Sequence, residues 1–199
     1  MKSITSGAVR LYCQLGIFIL FPGAAAWSSE DVVDYQRIEQ AALTFFPEDT
    51  CVWAEVGFTH ENTLTWAIQS PVQQGVQAEG KSTLIHLECS HGAYNFLSVW
   101  MIEQSDGELR PVSFPSPWLS RETTPPSVMG IGVTYILFNS GFDPDTRTIT
   151  SYAMGRGMGG AHSAGAWVLR GNRFLLTNYE VDNTFDLVVN PVTVYSVGE

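Results

Sequence analysis

The sequence predicts a mainly β fold: an antiparallel β-sandwich or partly open barrel with one N-terminal α-helix. Three observations lead to this prediction. From Cys51 onward, short runs rich in Val, Ile, Thr and aromatic residues alternate with Gly, Pro, Asp and Asn, a pattern typical of strands and turns. Several of these runs are joined by connections of hairpin length. Only the segment before Pro47 places apolar residues at helical spacing.

That helical segment is SSEDVVDYQRIEQAALTFF, residues 28–46. Ser29 can cap the N-terminus, and Glu30 and Asp31 favour the positive end of the helix dipole. Apolar residues recur at helical spacing from Val32 onward. Pro47 cannot continue a helix and is expected to end it.

Ten strands are predicted after the helix. The hairpin connections between them include QSDGE at residues 104–108, DPDT at 143–146 and RGN at 170–172. The Pro-rich segment from Phe114 to Ser127 is expected to be a long surface loop. The predicted strands are Cys51–Val56, Thr63–Ile68, Thr83–Glu88, Tyr94–Glu103, Glu108–Phe114, Val133–Phe138, Thr148–Met154, Ala166–Leu169, Arg173–Tyr179 and Val192–Val197.

The N-terminus has the pattern of a secretory signal peptide over residues 1–26. Lys2 and Arg10 precede a short apolar core that ends in three alanines, which matches the basic region, apolar region and small-residue cleavage site of such peptides. We therefore expect cleavage after Ala26, a periplasmic or secreted protein, and no membrane span after cleavage. The remainder, residues 27–199, is long enough for a single β-rich domain.

The charge balance argues against nucleic acid as a partner. The whole chain has a formal net charge of −10, and without Lys2 and Arg10 eight basic residues stand against 20 acidic ones. An acidic protein repels phosphate backbones and anionic membrane surfaces. The partner is expected to be a small molecule or an envelope protein.

Two cysteines remain after signal cleavage, Cys51 and Cys89. In an oxidising compartment a single remaining pair is expected to form a disulfide, although spacing alone cannot show that the two residues meet. Zinc sites use paired cysteines and histidines at short spacings, which this chain lacks, so no metal site is predicted.

Gly155, Gly157 and Gly160 have the G-x-G-x-x-G spacing of a dinucleotide-binding turn. Such a turn needs a helix directly after the glycines to hold the pyrophosphate. Here the following residues include more glycines and then the β-like run WVLRGNRFLL. We predict a glycine-rich connection between two strands and no cofactor.

Two blocks of the sequence together suggest a family. The first contains Cys89 followed by GAYN at residues 92–95, and the second contains FD at 142–143, GRGMG at 155–159, Trp167, and Gly171 with Phe174. Over about residues 80 to 180 the chain resembles the C-terminal half of the bacterial domain of unknown function 1176. This resemblance implies a secreted protein of Gram-negative bacteria and no known activity. The family's Asp-Cys after the glycines is replaced here by Gly160 and Ala161, so its C-terminal crosslink cannot form.

The resemblance and the residue chemistry single out Tyr94, Asn95, Arg156 and His162 as possible ligand-binding residues. The glycines beside Arg156 would let backbone amides and its guanidinium approach a carboxylate or phosphate. The alternative that we favour is an internal ion pair, for example with Asp143. The signal peptide, the β pattern and the absence of a catalytic set that can be located from the sequence together predict a non-enzymatic envelope module that binds a small anion or a protein partner.

Two other functions remain open. A secreted hydrolase could use His162 or His91 with Asp143, although the DPDT segment is expected to be a turn in which Asp143 accepts backbone hydrogen bonds. No nucleophile can be located from spacing alone, so no catalytic residue is assigned. A purely structural module without ligand is the other alternative.

Overall fold

A computed structural model describes residues 33–59, 61–69, 81–120, 122–155 and 160–197. Of these residues, 53% lie in strands and 10% in helices, the sheets are antiparallel, and no closed barrel forms among them. The predicted mainly β class is therefore confirmed. The predicted signal peptide and Arg156 lie outside the described residues. None of the described helices is long and apolar enough to cross a membrane.

The N-terminal helix α1 spans Tyr35–Phe45 and begins later than the sequence suggested. Its cap is Asp34, whose carboxylate accepts the Arg37 N–H at 3.1 Å, so the prediction of Ser29 as the cap is wrong. An aspartate directly before the apolar-periodic residues satisfies a free N–H of the first turn. Ile38 and Ala42 are buried, and the Arg37 guanidinium bonds to Glu103 and to the Gly107 carbonyl.

The segment predicted as the first strand is instead a helical turn, α2, over Trp53–Val56. Trp53 is buried, donates its indole N–H to the Phe46 carbonyl at 2.7 Å and stacks on Phe58 at 4.8 Å. Gly57 ends the turn at φ 71°, a conformation that glycine adopts without strain. Tertiary packing of one tryptophan therefore overrides the β propensity of this stretch.

In the described ranges, twelve strands form two five-stranded sheets and a hairpin. In the first sheet the order is β1-β2-β3-β4 with β7 also paired to β3, in the second it is β12-β11-β10-β9-β8, and β5 pairs with β6. The strands are β1 Thr63–Gln69, β2 Lys81–His91, β3 Phe96–Glu103, β4 Leu109–Pro111, β5 Phe114–Leu119, β6 Val128–Thr134, β7 Ile136–Phe138, β8 Gly141–Asp143, β9 Thr148–Met154, β10 His162–Arg170, β11 Arg173–Asp182 and β12 Val192–Ser196.

Three predictions about this region need correction. The segment from Phe114 to Ser127 was expected to be a loop, but it begins with β5. The prolines at 115 and 117 made a strand look unfavourable. They are tolerated because β5 is an edge strand that pairs with β6 in a two-stranded sheet. Each of the predicted strands 108–114 and 133–138 is divided between two strands, and β8 was not predicted. Short strands that change partner leave no separate signal in the sequence.

The two sheets share one hydrophobic core. Buried side chains of the first sheet, such as Leu84 and Trp100, belong to the same cluster as Ile149 and Trp167 of the second sheet. Phe114 of β5 contacts Trp167 edge-on, with ring centroids 5.5 Å apart. Trp100, Trp167 and Phe174 are among the most deeply buried of these side chains, each 2% exposed or less.

Candidate functional site

The predicted disulfide between Cys51 and Cys89 is present. Both sulfurs belong to fully buried residues, and the Cα atoms are 4.9 Å apart. The bond links the segment between the two helices to β2, across 38 residues of sequence.

Asn95 lies where the two sheets meet. Its amide donates to the Met154 carbonyl at 2.9 Å, and its carbonyl oxygen accepts the Met154 N–H at 2.8 Å. β8 pairs with β9 from Thr148 to Thr150, so Met154, at the end of β9, has no partner on β8. The Asn95 side chain therefore provides the hydrogen bonds that a neighbouring strand would otherwise make, and a ligand at Asn95 would have to displace them.

Asn139 completes this connection between the sheets. It adopts φ 44°, exchanges two hydrogen bonds with the backbone of Phe96, and donates its amide to Asn95 Oδ1 at 3.1 Å and to the Tyr152 carbonyl at 2.8 Å. Tyr94, next to Asn95, is 53% exposed. Of the predicted ligand residues, Tyr94 alone presents its side chain to solvent among those described.

His162 lies across β9 from Asn95, opposite Met154 in the β9–β10 register. It is buried, stacks on Tyr152 at 4.8 Å, and shares a 2.7 Å hydrogen bond between Nδ1 and the Gly160 carbonyl. Nδ1 therefore carries the proton. On the other side, His162 pairs with Asp182 in the β10–β11 register.

Asp182 is also buried, but its carboxylate is engaged by the following loop. It accepts the hydroxyl and N–H of Thr184 and the N–H of Asn190. These hydrogen bonds, the Thr184 hydroxyl first, hold the Asp182 pKa below its usual range, with a smaller contribution from the charge of His162. The Asp182 carboxylate thus orders the loop after β11.

The residues of the hydrolase alternative do not form one group. Asp143 accepts hydrogen bonds from Asp145 and Thr146 in its own turn, and the Thr146 hydroxyl is the main cause of its lowered pKa. The predicted turn at Asp143 is thus confirmed. Asp143 pairs with Thr148 at one end of β9, and His162 pairs with Met154 at the other end. At ~3.3 Å per residue, the two ends of β9 are about 20 Å apart. His91 has a different neighbour, because its Nδ1 lies 2.8 Å from Glu88 Oε1.

The glycine-rich segment joins β9 to β10, which are antiparallel neighbours. The Gly155 N–H donates to the Ala161 carbonyl at 2.8 Å, and β10 begins at His162, directly after Ala161. The interpretation as a connection between two strands is confirmed, and the helix that a pyrophosphate would need is replaced by a strand. Within the described ranges, no three His, Cys, Asp or Glu side chains come close enough to share a metal ion.

A cleft of about 990 Å³ lies elsewhere on the domain, where the ends of three hairpins meet. Arg110 and Gln104 line it from the β3–β4 hairpin, Val133 from the β5–β6 hairpin, and Arg170 and Arg173 from the β10–β11 hairpin. Its volume is in the range of clefts that hold small-molecule ligands. Tyr94, Asn95 and His162, which were predicted as ligand-binding residues, do not line this cleft.

Arg170 and Arg173 lie opposite each other at the turn between β10 and β11. They are directly opposed partners on β10 and β11, joined by Gly171 and Asn172, with Gly171 at φ 63°. Directly opposed side chains point to the same face of a sheet, with Cβ atoms about 5 Å apart. Both side chains are exposed, and an anion between them can accept charge-assisted hydrogen bonds from both guanidinium groups.

The charge of the cleft is opposite to that of the chain. Arg110 is ion-paired with Glu108 at 2.6 Å, whereas no acidic side chain in the described part of the chain lies within ion-pairing distance of Arg170 or Arg173. Arg110, Arg170 and Arg173 outnumber Glu108 and Asp106, whose charges act on Arg110, so this region is positive within a chain of net charge −10. The cleft can therefore accept an anion through guanidinium forks.

One signal in the sequence could have identified the arginine pair. A two-residue turn places the residues on either side of it directly opposite each other, so RGNR already puts Arg170 beside Arg173. From the sequence, RGN was predicted only as a turn. The approach of Arg110 and Val133 depends on the tertiary arrangement of hairpins that lie far apart in the sequence.

The family model described as "Protein of unknown function (DUF1176)" matches residues 61–191, which is most of the chain apart from the N-terminus. The predicted family resemblance is confirmed, over a longer segment than the two blocks that suggested it. No curated protein and no solved structure is significantly similar to the chain.

Proposed function

The chain belongs to the DUF1176 family of proteins of unknown function, and from its geometry we propose that it is a non-enzymatic envelope module that binds a small anion in the arginine cleft. The observation that carries this proposal is the opposed pair Arg170 and Arg173, two cations without an acidic neighbour among the described residues. Two guanidinium groups on one face can bind one anion together through charge-assisted hydrogen bonds.

Two features support a binding role over the hydrolase alternative. The candidate acid–base residues His91, His162 and Asp143 each have a separate structural partner, namely Glu88, the Gly160 carbonyl and the turn at Thr146. General acid–base catalysis requires such groups to converge on one substrate position. The arginines converge, but arginine does not titrate near neutral pH and serves to bind and orient anions.

An envelope location is part of the proposal. The signal-peptide pattern at residues 1–26 predicts export, and the buried disulfide between Cys51 and Cys89 suits an oxidising compartment. N-terminal sequencing of the protein recovered from a periplasmic extract should give Trp27 as the first residue. Recovery of full-length protein from the cytoplasm alone would contradict this location.

The binding proposal is tested by thermal unfolding in inorganic phosphate. A ligand at 100 times its dissociation constant stabilises the folded state by about 2.7 kcal/mol. We expect phosphate to raise the Tm of the wild type by several degrees relative to chloride at equal ionic strength. Arg170→Gln and Arg173→Gln should each lose most of this rise.

Phosphate also stabilises proteins by exclusion from their surface, so the difference between variants is the informative quantity. Lys81→Gln is the matched control, because it removes one positive charge from an exposed position at the start of β2, outside the cleft. It should keep the full rise in Tm. Equal rises in the wild type, both arginine variants and the control would refute anion binding at this cleft.

A further inference from the structure

We infer that the anion bound in this cleft is amphiphilic: an anionic head attached to an alkyl chain. This inference rests on the proposed anion-binding function and deepens it by naming the ligand class. The cleft has a cationic part formed by Arg170 and Arg173 and an apolar part formed by Pro115, Val133 and Leu175. The two parts adjoin on one strand, because Arg173 and Leu175 are two residues apart on β11 and so face the same way.

The apolar part is exposed to solvent in the absence of ligand. Val133 is 64% exposed and Leu175 is 48% exposed. Val133 pairs with Pro115 in the β5–β6 register, so their side chains lie next to each other on one face of the hairpin. These residues form an apolar wall beside the guanidinium groups, where an alkyl chain would be removed from water.

The size of the cleft also favours a ligand larger than an inorganic ion. At about 990 Å³ it lies at the upper end of the ~300–1,000 Å³ typical of clefts for drug-sized molecules. A phosphate or sulfate ion held by the arginines would leave most of this space, and the whole apolar wall, in contact with water. A chain extending from the anionic head toward Val133 would cover both.

An alkyl chain fits the lining better than an aromatic base does. Proteins hold bases by stacking them on exposed aromatic side chains, and the aromatic residue among those lining the cleft, Phe174, is only 2% exposed. The wall is instead built from aliphatic side chains and proline. This composition argues against a nucleotide and in favour of a fatty acyl carboxylate or an alkyl phosphate.

The test compares titrations of the mature protein with inorganic phosphate, octyl phosphate and octanoate, each below its micelle-forming concentration. Burial of one methylene strengthens binding about fourfold. Because the cleft is open and only part of the chain would be covered, we expect octyl phosphate to bind at least about tenfold more tightly than inorganic phosphate. Octyl glucoside, which has the chain without the charge, should bind weakly or not at all.

Two variants locate the chain. The double variant Val133→Thr, Leu175→Thr replaces exposed side chains by a residue that also suits strands, so folding should be preserved. It should bind inorganic phosphate as the wild type does and lose most of the preference for octyl phosphate. Ile131→Thr is the matched control, because Ile131 is 50% exposed on β6 but does not line the cleft; it should keep the preference.

The outcomes separate the two proposals. Equal affinity for inorganic and octyl phosphate, both lost in Arg170→Gln, would overturn the amphiphilic ligand and leave anion binding intact. Failure of every anion to bind would overturn the proposed function itself. Binding to vesicles that contain phosphatidic acid, without binding to octyl phosphate or octanoate monomers, would also overturn the inference, because it would indicate a bilayer surface as the partner.

Discussion

The connection between the two sheets through Asn95 leads to a direct prediction about stability. Asn95→Ala removes the hydrogen bonds to the Met154 carbonyl and N–H and the bond from the Asn139 amide. Each such bond contributes about 0.5–1.5 kcal/mol, and an unpaired buried group costs more. Because Asn95 is half-buried and water can reach part of the site, we expect a loss of about 2–4 kcal/mol in the free energy of unfolding.

The assay is urea unfolding of the oxidised protein, extrapolated to zero denaturant. Asn95→Asp should also destabilise the protein, because it keeps the acceptor for the Met154 N–H but turns a carboxylate oxygen toward the Met154 carbonyl. Asn183→Ala, at an exposed position in the loop after β11, is the matched control and should change stability by less than about 0.5 kcal/mol. An Asn95→Ala variant as stable as this control would refute a structural role for the side chain.

Two further predictions concern the disulfide and His86, a half-buried histidine on β2. Cys51→Ala with Cys89→Ala opens a loop of 38 residues, so the chain-entropy model predicts a loss of about 4 kcal/mol in urea unfolding; no loss relative to the oxidised wild type would contradict this. Burial lowers the His86 pKa from 6.5 to about 4, so between these pH values the unfolded chain binds more protons than the folded protein. The free energy of unfolding should therefore decrease by up to about 3 kcal/mol as the pH drops from 6.5 to 4. In His86→Gln this decrease should be smaller. An unchanged pH profile in the variant would show that another group is responsible.

Local patterns determined most of the elements. Alternating runs rich in β-branched residues located most of the strands, and Pro47 ended the helix as expected. The turn chemistry of Asp143 could be predicted because its hydrogen bonds stay within three residues of sequence. By contrast, α2 could not be predicted, because its helical turn depends on where the Trp53 ring packs, against Phe46 and Phe58.

The sequence by itself determined the mainly β class, the family and the possible pairing of Cys51 with Cys89, because these follow from short-range patterns, composition and the number of cysteines. It also contained the opposed arginines, since a two-residue turn fixes their register. Only the tertiary structure decided that Asn95 bonds to Met154, 59 residues away, and that Arg110 and Val133 join Arg170 and Arg173 around one cleft. The physical reason is that strand order and sheet packing bring together side chains from distant hairpins, and neither is encoded in the local alternation of apolar and polar residues.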